Sequence, residues 1–280
     1  MQVKNTSLFL KREVFYSIIR ITYFFLHIML LLSTSTLTWY GLHRVFDFAK
    51  NAWYDGIDIS LSIMNFDLWD ADYISSLIDT YKIPVLSLTA PSKDMSTVKF
   101  HEILELGQKI STRTISFAPP HIMDKDTKWF HTLSEVQKTT DISLCVHNVE
   151  STFLFFVIPE YRNATFEKIK AVTGSASLDI LAVENSSQMD IMRAQAILGS
   201  SLKNIYFADK NTTTKGALPG MWTGGYSHMP LESFLMKLKA TMYTGDVSIK
   251  VYPKEIGVWD ASRVLENLKH IRSYYLKYFN

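Results

Sequence analysis

Val85-Leu86-Ser87-Leu88-Thr89 is a segment in which bulky apolar residues alternate with small polar ones. This period of two is typical of a β-strand whose two faces meet different surroundings. The same alternation recurs in five other segments, at residues 56–59, 114–118, 142–147, 204–207 and 247–251. Because apolar residues at helical spacing separate these segments, the sequence predicts strands and helices in alternation.

Each of the six segments has an apolar face and, near its end, one residue on the opposite face. We expect the apolar face to meet the helices, and its members are Ile57, Leu86, Leu88, Ile115, Phe117, Leu144, Val146, Ile205, Phe207 and Ile249. The residues on the opposite face are Asp58, Thr89, Ala118, His147, Tyr206 and Lys250. In a closed parallel sheet such positions meet at the carboxyl end, where we expect Asp179 to join them from a strand near residues 177–183.

The number of strand–helix alternations indicates the fold class. With a first strand around residues 28–34, eight alternations fit into about 250 residues, as in a (β/α)8 barrel, also called a TIM barrel. We therefore expect one α/β domain at residues 29–280, preceded by an apolar extension at residues 1–28. An open doubly wound sheet is the alternative, but no Gly-rich dinucleotide-binding fingerprint follows any predicted strand.

The N-terminal stretch has a membrane-like composition. Residues 14–32 are strongly apolar and long enough to cross a bilayer, and Lys11 and Arg12 precede them. Arg20 and His27 interrupt the run, however, and a charged side chain is costly in hydrocarbon. We expect an extension ahead of the barrel, with Met29 as a possible natural start, while a membrane anchor remains the alternative.

Composition limits the classes of partner. The net charge is +2 with interspersed signs, whereas nucleic-acid binding usually needs a clustered basic face, so no nucleic-acid partner is expected. The single cysteine, Cys145, cannot form an intrachain disulfide and fits a reducing compartment. We expect a cytoplasmic protein, or a membrane-associated one if residues 14–32 act as an anchor. The sequence gives no signal for an oligomeric state.

Several short motifs together resemble the sugar-phosphate isomerase/epimerase family, the xylose-isomerase-like barrels. The resemblance runs from about residue 30 to residue 271. The motifs that carry it are Phe46-Asp47-Phe48-Ala49-Lys50, Tyr54-Asp55-Gly56-Ile57-Asp58, the stretch 84–91, Val146-His147-Asn148, Ser177-Leu178-Asp179, Asn204-Ile205-Tyr206 with Asp209, the stretch 231–235 and Tyr243-Thr244-Gly245. Their order and spacing make the implied barrel fold fairly specific.

The resemblance also implies a divalent metal held by Glu, Asp and His at the strand ends, with two Glu moving a proton next to a carbonyl. Most of the matching positions differ in this chain. The second-strand Glu is Asp58, the third-strand His is Thr89, the fourth-strand His is Ala118 and the fifth-strand Glu is His147. The sixth-strand Asp remains as Asp179, but the His three residues on is Ala182, the seventh-strand His is Tyr206 and the eighth-strand Glu is Lys250.

These changes predict a site without a metal and without any other cofactor. Hard divalent ions need several oxygen ligands, and Asp179, Asp209 and Asp58 are too few unless His121 or His147 completes a different sphere. Lys250 would also place a positive charge near the metal position, which opposes cation binding. We expect its ammonium to pair with Asp179 instead.

The remaining polar residues give candidate roles. The catalytic candidates are His147 as a general base, Lys250 as a Schiff-base lysine or a replacement cation, and Asp179 as its partner. The alternative for His147 is a hydrogen-bonded polar filler of the barrel. The substrate-binding candidates are Asp58, Thr89, His121, Tyr206, Asp209 and Trp222, the last two from a Gly- and Pro-rich loop at residues 209–230.

Three functional classes follow from this reading. The first is a metal-free isomerase or epimerase acting on a sugar or sugar phosphate, and the second is a non-catalytic carbohydrate-binding protein of the same fold. The third, a metal-dependent nuclease like endonuclease IV, would need a dense His/Asp/Glu cluster and a basic groove. The sequence favours the first class, with the second as its alternative, because function belongs to the site rather than to the fold.

Overall fold

The centre of the molecule is a closed barrel of eight parallel strands. The computed structural model describes residues 28–62, 65–150, 152–155, 157–162, 164–183, 190–210, 214–221 and 229–279. The barrel strands are β1 (Leu30–Ser33), β2 (Gly56–Ser60), β3 (Val85–Thr89), β4 (Thr114–Phe117), β5 (Ser143–His147), β6 (Ala176–Asp179), β7 (Leu202–Phe207) and β8 (Asp246–Ile249). Each strand pairs with its neighbours in chain order, and β1 pairs with both β2 and β8. The predicted (β/α)8 barrel is confirmed.

Helices surround the barrel. They are α1 (Leu42–Asn51), α2 (Ala71–Tyr81), α3 (Thr97–Lys109), α4 (Lys128–Val136), α5 (Phe166–Thr173), α6 (Ile180–Val183), α7 (Ile191–Leu198), α8 (Leu231–Ala240), α9 (Pro253–Ile256) and α10 (Ala261–Phe279). Phe117 of β4 shows how the two layers pack, since its ring lies 5.6 Å from the rings of both Phe100 and Trp129. Burial of such large rings is a main source of stability, and it fixes the outward face of β4 as predicted.

The apolar N-terminal segment lies mostly outside the described residues. Residues 1–27 are not described, so the expected extension at 1–28 and the alternative anchor at 14–32 stay predictions. The part that is described, from Ile28 onward, leads directly into β1, and Met29 and Leu31 are buried. Within the described ranges, no helix is long and apolar enough to span a bilayer.

The sixth strand is shorter than the sequence predicts. Residues 177–183 were expected to be extended, but β6 ends at Asp179 and the helix α6 follows at once. The Asp179 carboxylate accepts a hydrogen bond from the Leu181 backbone N–H at 3.1 Å, which helps to start this turn. Ala182 therefore lies on a helix above the barrel rim rather than on a strand.

One residue of β3 faces the opposite side from the prediction. The pairing of β2 with β3 shifts between Ile57, which lies opposite Val85, and Asp58, which lies opposite Ser87, so Leu86 is an extra residue. Leu86 packs with Met29 and Leu31 inside the barrel, separately from the helix-facing core. The predicted helix-facing position of Leu86 is therefore wrong, because a bulge interrupts the strict alternation that the prediction assumed.

Beyond the apolar layer formed by Met29, Leu31 and Leu86, the barrel interior is polar. Asn204 donates a hydrogen bond to Ser87 Oγ at 3.3 Å and accepts one from Ser248 Oγ at 3.0 Å. The hydroxyls of Ser116 and Ser177 are hydrogen-bonded at 2.7 Å. These buried groups satisfy one another, so the interior supports a further polar layer at the carboxyl ends of the strands.

Two small antiparallel hairpins project from the carboxyl end. The first pairs Phe153–Leu154 with Ile158–Pro159 in the connection after β5. The second pairs Asp209–Lys210 with Lys215–Ala217 in the connection after β7. Long connections at this end carry the functional residues of barrel enzymes, so the hairpins border the region in which a site is expected.

Candidate functional site

Three strands bring Asp58, Thr89 and Tyr206 together at the carboxyl end of the barrel. The Thr89 hydroxyl donates a hydrogen bond to Asp58 Oδ1 at 3.1 Å, and it lies 2.7 Å from the Tyr206 hydroxyl. Asp58 is fully buried, and burial raises the pKa of its carboxyl group, although hydroxyls such as that of Ser33 and the charge of Lys250 act in the opposite direction. This carboxyl group therefore keeps its proton to higher pH than an exposed aspartic acid does.

Lys250 and Asp179 form an ion pair beside this cluster. Lys250 follows β8, and its Nζ lies 3.1 Å from Asp179 Oδ2, at the end of β6. The side chains are 30% and 16% exposed, so the pair is only partly shielded from water. Burial lowers the pKa of Lys250, but the charge and hydrogen bond of Asp179 outweigh it, and the net shift is upward. The expected pairing is present, and the ammonium stays charged at neutral pH.

Tyr206 lies between the cluster of Asp58 and Thr89 and the ion pair of Lys250 with Asp179, and it contacts members of both. Lys250 Nζ lies 4.7 Å from the centre of the Tyr206 ring, within the range of a cation–π interaction. His147 meets the same ring edge-on, at 6.0 Å between ring centres. The residue that occupies the seventh-strand position thus contacts the third, fifth and eighth strands at once, through Thr89, His147 and Lys250.

His147 is held in a fixed orientation at the end of β5. Its Nδ1 lies 2.9 Å from the carbonyl oxygen of Asn148, so Nδ1 is the nitrogen that donates and Nε2 is the acceptor in the neutral ring. Burial and the charge of Lys250 lower the pKa of His147 to about 4. The ring is therefore neutral at physiological pH.

Asn148 fixes the ends of β5 and β6 relative to each other. Its side-chain amide donates to the Asp179 carbonyl oxygen at 2.9 Å, and its oxygen accepts from the Asp179 backbone N–H at 2.7 Å. This two-way contact replaces backbone pairing where the strands end. It positions the Asp179 carboxylate toward Lys250 and explains why Asn148 is buried.

A cavity of about 280 Å³ opens over the ion pair, and we call it the mouth cavity. Its lining includes His147, Asp179 and Lys250 together with side chains that the sequence analysis did not name as site candidates: Asn148, Glu150, Thr152, Glu160, Tyr161 and Tyr252. Glu150 forms an ion pair of 2.6 Å with Lys215 of the second hairpin. Glu150 lies two residues after the Val146-His147-Asn148 motif, and that position was an available signal for this wall.

Two sequence-predicted residues, His121 and Asp209, lie outside this cluster. His121 packs edge-on against Tyr161 at 5.2 Å, and its Nε2 lies 3.7 Å from Glu160 Oε2, so it stands behind the wall of the mouth cavity. Asp209 lines a different cavity, of about 530 Å³, against α10. Trp222 lies outside the described residues. Among the substrate-binding candidates, the structure therefore brings together Asp58, Thr89 and Tyr206.

Solved structures with the same architecture exist, although the sequence itself matches no family model and no curated protein. D-psicose 3-epimerase with D-tagatose from Clostridium cellulolyticum H10 aligns with a TM-score of 0.69 and 13% identity, over 90% of this chain and 100% of that chain. The IolI protein with a bound zinc atom aligns with a TM-score of 0.66 and 15% identity, over 90% and 100%. AP endonuclease family 2 from Brucella melitensis gives 0.62 and 14%, over 84% and 99%.

The chain has the (β/α)8 barrel fold of these solved structures. Sugar epimerases and a xylose isomerase domain containing protein are among the solved structures similar to it. The identities of 12–15% establish the architecture only. What this barrel does has to be argued from its own side chains.

The side chains that the structure describes do not fit a divalent metal. Across the part of the chain that the structure describes, no group of three or more His, Cys, Asp and Glu side chains is arranged to hold an ion. At the strand ends the Asp179 carboxylate already faces the ammonium of Lys250, and the raised pKa of Asp58 disfavours the ionised form that a hard cation needs. Tyr206 fills the space between them with a ring. The donor set therefore differs in kind from the one that the family resemblance implied.

Proposed function

We propose that this protein binds a sugar or sugar phosphate in the mouth cavity and is an isomerase/epimerase-like barrel that works without a metal. The observation that carries the proposal is the ion pair of Lys250 with Asp179 at the carboxyl ends of β8 and β6. A fixed cation at that place supplies the positive charge that the usual metal would supply. A cation on this side of the cavity favours a ligand with carbonyl, hydroxyl or phosphate oxygens.

Lys250 is the proposed electrophile. Its ammonium would stabilise negative charge on a substrate oxygen, and its raised pKa keeps it protonated while it does so. The same property opposes the Schiff-base role, since a Schiff base forms from the neutral amine. Asp179 then acts as a positioning residue, because it holds the ammonium at the cavity wall.

His147 is the proposed proton or hydrogen-bond acceptor, through Nε2. Its other ring nitrogen is committed to the Asn148 carbonyl, so Nε2 carries the lone pair. Moving a proton next to a carbonyl requires a second group as well. Glu150 and Glu160, which line the same cavity, are the carboxylates placed to supply it.

A non-catalytic carbohydrate-binding protein is the second candidate, and one observation favours it. The pKa of His147, at about 4, makes the ring a weak base at neutral pH. A neutral imidazole beside an ammonium and an aspartate still forms a good hydrogen-bonding surface for hydroxyl groups. Binding without turnover would therefore use the same residues.

Two measurements test the proposal: thermal unfolding with added sugars, and deuterium incorporation into the compound that binds. Thermal unfolding is followed with a panel of pentoses, aldohexoses, ketohexoses and their phosphates, for wild type, Lys250→Met and the control Lys109→Met, which changes an exposed lysine of α3. We expect at least one compound to stabilise wild type and Lys109→Met but not Lys250→Met. No stabilisation by any of them, or equal stabilisation of all three proteins, would show that the binding proposal is wrong.

Deuterium incorporation then distinguishes the two candidates. The compound that stabilises the protein is incubated with it in D₂O, and exchange at the carbon next to the carbonyl is followed by proton NMR. An isomerase or epimerase that removes this hydrogen as a proton, as proposed for His147, exchanges it with solvent, and His147→Gln should slow the exchange by about 10²-fold or more. Binding without exchange in wild type would favour the non-catalytic candidate.

A further inference from the structure

A second cavity lies directly beside the mouth cavity. It has a volume of about 520 Å³, and its walls include Phe153, Pro159, Ala164, Phe166 and Val183. We call it the apolar annex. Its lining also includes polar side chains, among them Glu150 and Thr152 and the exposed Glu167 and Lys168. This arrangement is typical of a pocket that encloses an apolar group.

The apolar annex and the mouth cavity adjoin each other. They share wall residues, among them Asn148, Tyr161 and Ala182. The lining of the mouth cavity includes the charged pair of Lys250 with Asp179, whereas the lining of the apolar annex includes the aromatic side chains of Phe153 and Phe166. A single ligand that filled both would have a polar end and an apolar end.

Local structure explains why the annex wall is apolar. Phe166 begins α5 and is only 9% exposed, and Val183 ends α6, the short helix that follows Asp179. Phe153 belongs to the first hairpin and is 53% exposed although it is a large aromatic residue. A half-exposed aromatic ring next to a polar binding site is the kind of surface that a ligand covers.

We infer that the ligand of this site is a sugar that carries an apolar aryl or alkyl substituent. Glycosides serve as probes of binding alone, because their anomeric carbon is an acetal and has no free carbonyl. The inference rests on the proposed function, because the sugar part would bind in the mouth cavity near Lys250. The substituent would enter the apolar annex and cover the rings of Phe153 and Phe166. A free sugar would leave the annex filled with water.

The test compares matched ligands and matched variants. D-Glucose, D-galactose and D-xylose are each titrated as the free sugar, the methyl β-glycoside and the phenyl β-glycoside, with ketohexoses and sugar phosphates as a separate arm. The proteins are wild type, Phe153→Ala and the control Phe66→Ala, which removes an equally large, 84% exposed ring that lines neither cavity. Binding is measured by isothermal titration calorimetry, and the oligomeric state by light scattering at the same concentration.

We expect the phenyl glycoside of at least one sugar to bind on the order of tenfold more tightly than its methyl glycoside. Phe153→Ala should remove most of that gain, and Phe66→Ala should keep it. Lys250→Met should weaken the methyl and phenyl glycosides by the same factor, because the two ends of the ligand are bound separately.

Three outcomes would overturn the inference. If methyl and phenyl glycosides bind equally, the annex does not hold a substituent, while the proposed function stands. If only free sugars or sugar phosphates bind, the annex again does not hold a substituent, and the proposed function again stands. If wild type is a dimer that Phe153→Ala dissociates, a second copy of the chain covers the annex. Absence of binding in every arm, free sugars included, would reject the proposed function together with the inference.

Discussion

Lys250 is the residue on which the proposed chemistry depends. Its Nζ lies 3.1 Å from Asp179 Oδ2 and 4.7 Å from the centre of the Tyr206 ring, so one cation interacts with both a carboxylate and an aromatic face. Its removal would leave the carboxylate of Asp179, which is 16% exposed, without its partner. The cost should lie between that of a fully buried pair and that of a surface pair.

A double-mutant cycle measures this coupling. Lys250→Met should lower the free energy of unfolding by about 1–3 kcal/mol, and Lys250→Met with Asp179→Asn should cost less than the two single changes together. Urea unfolding in chelator-treated protein provides the measurement. The control cycle uses Lys215 and Glu150, whose more exposed pair should couple by less than about 1 kcal/mol. Additive effects at Lys250 and Asp179 would contradict the replacement of a metal by the ammonium.

His147 should make the fold sensitive to acid. Its pKa is about 4 in the folded protein, lowered by burial and by Lys250, and about 6.5 when unfolded. Between these values the unfolded state binds more protons, so stability falls as the pH drops from 6.5 toward 4. Wild type should lose about 2 kcal/mol more than His147→Gln between pH 6.5 and pH 4.5, as measured by urea unfolding at each pH. Parallel pH profiles would show that His147 is not buried in its neutral form.

Strand β3 shows which parts of the architecture a sequence can predict. Period-two alternation correctly placed Leu88 outward and Thr89 inward, because those positions are regular. It misplaced Leu86, because a bulge adds a residue without changing the local composition. The end of β6 was missed for a related reason: Ile180 to Val183 are apolar in either a strand or a buried helix.

The candidate site was predictable to a similar extent. The strand-end residues followed from the alternation and meet in the structure as Asp58, Thr89, Tyr206 and their neighbours. The walls of the mouth cavity come from connections such as the first hairpin, where no periodicity relates Glu150 and Glu160 to the barrel. Loop conformation depends on contacts that are distant in sequence, so these residues could not be placed in advance.

The substitution Gly56→Ala tests whether strand β3 contains the bulge at Leu86. A Cβ added to Gly56 would lie 3.0 Å from the Pro84 carbonyl oxygen and 3.1 Å from Leu86 Cδ1, because the bulge turns Leu86 inward. Gly56→Ala should therefore lower the free energy of unfolding by about 1–3 kcal/mol, since backbone atoms would have to move. In the control Gly41→Ala, the added methyl group would meet only the His43 side chain, and the cost should stay below about 1 kcal/mol, because Ala is a weaker N-cap than Gly. Equal effects in thermal or urea unfolding would argue against the bulge.

The whole molecule combines a common barrel with an uncommon set of strand-end residues. The fold matches that of sugar epimerases along 90% of the chain, yet the carboxyl end holds an ammonium, a neutral imidazole and a tyrosine. A barrel can tolerate such changes because the helix-facing core and the strand-end layer are separate.

Sugar binding with and without a divalent ion tests the central claim most directly. Isothermal titration calorimetry of the sugar and sugar-phosphate panel is performed on protein dialysed against a chelator, and repeated after addition of manganese. We predict that at least one compound binds the chelated protein, and that manganese leaves its affinity unchanged, because Lys250 already supplies the positive charge. Binding that disappears with the chelator and returns with manganese, or no binding in either state, would contradict the account.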